Sequence, residues 1–158
     1  MKTLLCIDPG ASGGIAVRFH DGTIKIQKMP ETQGDILDVI RDVRDTANLE
    51  SGSEAVAILE LVGGFCGKGQ PGSAAFKFGE GFGFWKGAIQ MACLRLELVR
   101  PQAWQKTFSL GTAASCASKT IWKNKLKSEA QRLFPGQPVT LKTADALLIL
   151  EWYRRQNP

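Results

Sequence analysis

Three apolar runs in this chain each carry a carboxylate at one end: LLCID closes on Asp8, AVAILE closes on Glu60, and Asp145 lies at the head of ADALLILEW. An ionised carboxylate at the edge of a hydrophobic core is costly unless it is paired or bound to a cation. Three of them point to one shared cation, and therefore to a metal-dependent enzyme.

With 158 residues, 44% of them hydrophobic, the chain has the material for one globular domain over residues 1–158 and no room for a second. Its four cysteines, at 6, 66, 93 and 116, form no C-x-x-C pair, so neither a zinc site nor a disulfide framework is expected and the thiols are read as reduced. The opening MKTLLCIDPG has too short an apolar run for a secretory leader, and no later stretch is long enough to cross a bilayer. The expectation is a soluble, unprocessed cytoplasmic protein without a membrane partner, nucleoid-associated if bacterial or phage, with an organellar setting left open.

The net charge of +5 hides an asymmetry. Asp35, Asp38, Asp42, Asp45, Glu50 and Glu54 make one segment acidic, whereas Arg95, Arg100, Lys106, Lys119, Lys123, Lys125, Lys127 and Arg132 make the later half basic. One side should attract a polyanion, although a solvated helix surface has the same composition.

Residues 3–8 read as a buried strand, and the DPGASGG that follows is a turn whose glycines allow tight backbone geometry after Asp8. GIAVRF and TIKIQKM flank Asp21-Gly22, a hairpin signal, so three antiparallel strands are expected. Apolar residues 36, 39, 40, 43 and 47 have helical spacing over 35–47, ahead of a strand at 55–60. If that strand lies parallel beside the first, the right-handed crossover rule brings Asp8 and Glu60 together at neighbouring strand ends, about 4.8 Å apart. Two bare carboxylates at about 4 Å repel by about 4 kcal/mol at an effective dielectric of 20, which a divalent cation would offset.

Further along, 63–71 is a glycine-rich loop and 74–92 a helix in which Gly79, Gly83 and Gly87 share a face. Each glycine costs about 1 kcal/mol relative to alanine, so close backbone packing, against the chain's own sheet or a second copy, is expected there. A strand at 94–99, a short helical or looped piece at 101–108, a helix at 119–134 with Trp122, Leu126, Ala130 and Leu133 inward, and a last helix at 143–153 complete the reading. Phe76 and Phe78 are expected in the core, Phe65 in the glycine loop.

The stretches LLCIDPGASGGIAV, AILELVGG, GQPGSAAFKFGEGFGFWKGAI, RPQAWQKTF, SEAQRLFP and TADALLIL, in this order and spacing, resemble the RuvC-like Holliday junction resolvases, particularly their phage and organellar branch. The resemblance covers nearly the whole chain, and the glycine- and phenylalanine-rich block is its most specific part. It implies a ribonuclease H-like α/β fold, with a mixed five-stranded sheet and helices on both faces. It also implies a homodimer that resolves four-way DNA junctions by paired nicks, using Mg2+ or Mn2+. Asp8, Glu60 and Asp145 fall on the family's metal-binding acids, and Lys123 falls where a basic residue often lies near the scissile phosphate. The implied mechanism is two-ion hydrolysis, with the ions about 3.5–4 Å apart across a shared carboxylate, for which Asp8 is the natural bridge. Phe65, Lys68, Lys106, Lys119, Lys125, Lys127 and Lys142 are the candidate DNA contacts.

One departure stands out. The family usually places an aspartate or histidine three or four positions before its last acid, where this chain has Lys142 and Leu141, neither of which can serve as that ligand. Lys142 is also a cation near a helix N-terminus, where the helix dipole disfavours it; a DNA phosphate as counter-ion and a lysine simply pointing into water are the two readings. Three functions follow in descending order: a junction endonuclease, a junction-binding protein with weak or no cleavage, and a kinase-like phosphoryl transferase using the Asp8 loop.

Overall fold

The computed structural model of the chain describes residues 2–49, 54–61, 63 and 71–158. The five strands are β1 (Thr3–Asp8), β2 (Gly14–Arg18), β3 (Ile24–Lys28), β4 (Ala55–Glu60) and β5 (Arg95–Val99). They form one mixed sheet in the order β3-β2-β1-β4-β5, with β1 parallel to β4 and β4 parallel to β5. The expected meander is present: Asp21-Gly22 turns the chain between β2 and β3, with Gly22 at φ 90° and Thr23 donating its N–H to Asp21 Oδ1 at 2.8 Å. Glycine is favoured at such an angle because it has no Cβ to clash.

Strand alternation sends even- and odd-numbered side chains of β1 and β4 to opposite faces. Leu5, Ile7, Ala57 and Leu59 meet helices α1 (Gln33–Leu49) and α2 (Gly72–Met91) through Ile36, Ile40, Val43, Trp85 and Ile89. Leu4, Cys6, Val56 and Ile58 meet the other face, where α3 (Pro101–Lys106), α4 (Lys119–Leu133) and α5 (Ala144–Gln156) contribute Trp104, Trp122, Leu126 and Leu147 to Leu150. A short 3-10 turn, Ala113–Ser115, precedes α4. The charge asymmetry becomes a spatial one: acidic α1 and basic α4 cover opposite faces of the sheet.

Of the two options for the glycine face, one falls away, and one further expectation needs correction. Gly79, Gly83 and Gly87 do not pack on the sheet: all three are exposed, and a Cβ on any of them would meet nothing within 4 Å. The side of α2 that reaches the core instead carries Trp85 and Ile89. Phe76 is not a core residue but 72% exposed, because it falls on the outward side of α2. No helix among the described residues is long and apolar enough to cross a membrane.

Candidate functional site

Asp8 and Glu60 are the last residues of neighbouring parallel strands, one step beyond the Ile7–Leu59 register pair. As even-numbered positions they project toward α3, α4 and α5. Asp145 enters from the first turn of α5, which packs on β1 and β2. The turn before α5 is pressed against β2: a Cβ on Gly14 would lie 2.6 Å from the Lys142 carbonyl oxygen and 2.8 Å from that of Gln27. Gly14 is the register partner of Asp8, so this contact carries the start of α5 to the strand end that holds Asp8. Thr143 secures the turn by accepting the Thr140 N–H at 3.0 Å.

The acids are coupled electrically. Burial, followed by the charge of Asp145, pushes the Asp8 carboxyl up to about 6, against the pull of Lys123 and the Gly10 N–H. Burial and then the charge of Asp8 push Glu60 up to about 8, against the hydrogen bond from Trp104. Asp145 is almost fully buried; the Lys123 ammonium donates to its Oδ2, while Oδ1 has no hydrogen-bond partner. Burial works to lower the Lys123 ammonium, but Asp145, Asp8 and Glu60 outweigh it and hold the group above its ordinary value. One lysine thus faces three carboxylates, leaving net negative charge at the edge of the core.

That composition fits a hard divalent cation in kind: oxygen donors, like charges and an orphaned buried Oδ1 on Asp145. Among the described residues, however, no three His, Cys, Asp or Glu side chains stand close enough together to hold an ion between them. Lys123 supplies the positive charge that Asp145 meets in this arrangement.

The remaining candidates separate spatially. Lys119, Lys123 and Lys127 recur every four residues along one row of α4, whereas Lys125 is turned away. Lys127 lines a groove of about 630 Å³ with Lys28, Lys142, Leu141 and Thr143. Lys125 lines another, of about 660 Å³, with Ser109, Asn124, Glu129 and Arg132. Lys106 and Lys119 are exposed, and so is Lys142. An anion near Lys142 is Glu31, whose carboxyl is held below its usual range mainly by its hydrogen bond and ion pair with Lys28, with Lys142 a lesser contributor. Phe65 and Lys68 lie outside the described residues, as does most of the glycine-rich loop. Phe78 is half-buried with its ring near Gly10, 3.7 Å from where a Cβ would stand.

Sequence reasoning missed Trp104, whose indole Nε1–H donates to Glu60 Oε2 at 2.6 Å. The available signal was the tryptophan just after Arg-Pro: a buried indole N–H needs an acceptor, and Glu60 ends the strand next door. It also missed why Gly13 and Gly14 are glycines. Neither has a positive φ; what matters at both is the space a Cβ would need.

No protein-family profile and no curated protein sequence matches the chain. Solved structures do. RuvC of T. thermophilus in complex with a Holliday junction substrate superimposes with a TM-score of 0.56 at 14% identity, over 99% of this chain and 97% of that one. A second Thermus thermophilus RuvC structure gives 0.52 at 13% identity, over 98% and 96%. From end to end, this chain has the ribonuclease H-like α/β fold of the RuvC structures.

Proposed function

We propose that the protein is a structure-selective endonuclease that resolves four-way DNA junctions by metal-dependent paired nicking as a homodimer. The observation that carries this reading is the electrostatic coupling of Asp8, Glu60 and Asp145, which reach one edge of the core from two strand ends and a helix start, on the basic face of a fold similar to junction-bound RuvC. Their mutual repulsion and the unpartnered Asp145 Oδ1 are what a centre for Mg2+ or Mn2+ requires. Held there, divalent cations would supply an activated water and charge neutralisation at a phosphodiester.

The chain's own residues do the rest. Asp8, Glu60 and Asp145 would hold the cations; Lys123, paired with Asp145 here, would offer its ammonium to the scissile phosphate once a cation takes its place on Asp145. Lys119 and Lys127, on the same row of α4, follow the backbone away from the centre, and Lys142 and Lys28 continue that track. Lys106, Lys125, Lys68 and Phe65 complete the proposed DNA contacts. A second copy packs on the outward face of α2, where Gly79, Gly83 and Gly87 leave open space between exposed Phe76 and Met91. Two related centres then address opposing strands.

The test is cleavage of a synthetic four-way junction. Wild type should nick it in Mg2+ or Mn2+, and Asp8→Asn or Glu60→Gln should abolish nicking while leaving junction binding within a few fold. Wild-type rates in either variant overturn the assignment. The Lys123–Asp145 pair and the residues at 141 and 142 favour a second reading, a junction-binding protein with weak or no cleavage; binding without nicking at any metal concentration selects it.

A further inference from the structure

Glu60 ends an inner strand on a side chain with three rotatable bonds, so its carboxylate sweeps a wide arc unless something fixes it. Trp104 is fully buried, and its indole N–H, a donor only, lies 2.6 Å from Glu60 Oε2. The two residues are 44 positions apart in sequence and meet through the sheet. Glu60 pairs with Val99 at the end of β5, Leu61 N–H donates to the Val99 carbonyl at 2.7 Å, and α3 begins immediately afterwards with Pro101 at its first turn. Phe108 packs edge-on against the ring at 6.5 Å, within the cluster that includes Trp122 and Leu126. Asp8, by contrast, has a long 3.5 Å contact from the Gly10 N–H.

We infer that Trp104 is a positioning residue: it fixes Glu60 by one oxygen so that Oε1 is presented to the cation of the centre, an inference that rests on the nuclease reading above. A rigid, planar donor locked by packing is well suited to this task, and loss of such outer partners costs about 10–100-fold in metal affinity or activity.

The experiment pairs Trp104→Phe, which keeps the aromatic packing and removes the donor, with 15N-labelled wild type. Trp104→Phe should raise the Mg2+ concentration for half-maximal junction cleavage about tenfold or more, with junction affinity within twofold. In the wild type, the indole N–H resonance absent from Trp104→Phe should move saturably as Ca2+ is added, and in Glu60→Ala it should lie where an unbonded indole N–H does. This second variant keeps the inference testable if Trp104→Phe folds poorly. An unchanged metal requirement in a folded Trp104→Phe, or a Trp104 resonance indifferent to both Ca2+ and Glu60→Ala, overturns the inference while the nuclease reading stands. Conversely, a wild type that never nicks but whose Trp104 resonance still responds to Ca2+ and to Glu60→Ala overturns the nuclease reading and upholds the positioning role.

Discussion

A Cβ on Gly13 would lie 2.7 Å from Asp8 Cγ and 2.9 Å from its Oδ2, and closer still to the Asp8 carbonyl oxygen. The loop after β1 therefore folds back onto the acid it follows, with Gly13 N–H donating to the Gly10 carbonyl at 2.8 Å. Because backbone stands on both sides of the contact, a methyl group at 13 must displace the Asp8 carboxylate or the strand end. Gly13→Ala should lower stability by about 1–3 kcal/mol, the usual cost of overpacking. It should also reduce junction cleavage by about 100-fold, as a displacement of about 1 Å does in a preorganised site. Thermal melting and cleavage kinetics measure the two effects; wild-type values for both would show that the loop simply moves aside.

The second prediction concerns pH. The Asp8 and Glu60 carboxyls are raised from ordinary values of 3.8 and 4.5 to about 6 and about 8. The folded state holds these protons more tightly than the unfolded chain. Their contribution to stability is therefore complete below the ordinary values and is lost as pH rises through about 6 and then about 8. Without divalent ions, Glu60→Gln should melt higher than wild type at pH 9, since the amide still accepts from Trp104 and buries no charge. The difference should vanish near pH 4. Equal melting temperatures across that range would show that Glu60 carries no buried charge.

Lys123 supplies the next. Removing its ammonium by Lys123→Met leaves Asp145, 4% exposed, without its partner. An unsatisfied buried acceptor costs about 1–3 kcal/mol, and the partial exposure of Lys123 places the expected loss at the lower end. Adding Asp145→Asn to this variant should recover part of the loss, a coupling that a double-mutant cycle reads directly. Additive effects would show that the pair contributes nothing.

Much of this arrangement was legible in the chain. The apolar runs ending in Asp8 and Glu60, with a helical period between them, are compatible with a parallel pair that puts both acids at one end, the pairing found in the sheet. What escaped were relationships that sequence spacing does not encode. Trp104 finds Glu60 only once β5 lies beside β4. Gly79, Gly83 and Gly87 do share a face, but periodicity does not say whether a face meets the sheet or solvent, and Phe76 was misplaced for the same reason. The basic helix read as one surface, although Lys125 and Lys127 line different grooves.

That division predicts an unequal response to salt. Each phosphate contact on duplex DNA contributes about 0.9 to the slope of log affinity against log salt concentration. Lys119→Ala and Lys127→Ala should each lower the slope by about that amount, whereas Lys125→Ala should leave it nearly unchanged. Filter-binding or fluorescence titrations of a junction at several salt concentrations provide the measurement. Equal losses at 119, 125 and 127 would place DNA around both sides of α4.

Lys142 supplies the last prediction, since it stands just before the helix that carries Asp145 and lines the groove with Lys28 and Lys127. A carboxylate there adds an oxygen donor near a centre already rich in them, which favours cation binding. It also reverses a charge on the proposed phosphate track. Lys142→Asp should therefore lower the Mg2+ concentration for half-maximal cleavage while weakening junction binding measured in Ca2+. Leu141→His should produce the first effect without the second, because the imidazole replaces an apolar side chain that is 46% exposed and carries no charge. If both variants keep the wild-type metal requirement, the turn before α5 faces away from the cations, and Asp8, Glu60 and Asp145 suffice without a fourth ligand. If Lys142→Asp also keeps the wild-type affinity, the DNA track does not cross this turn.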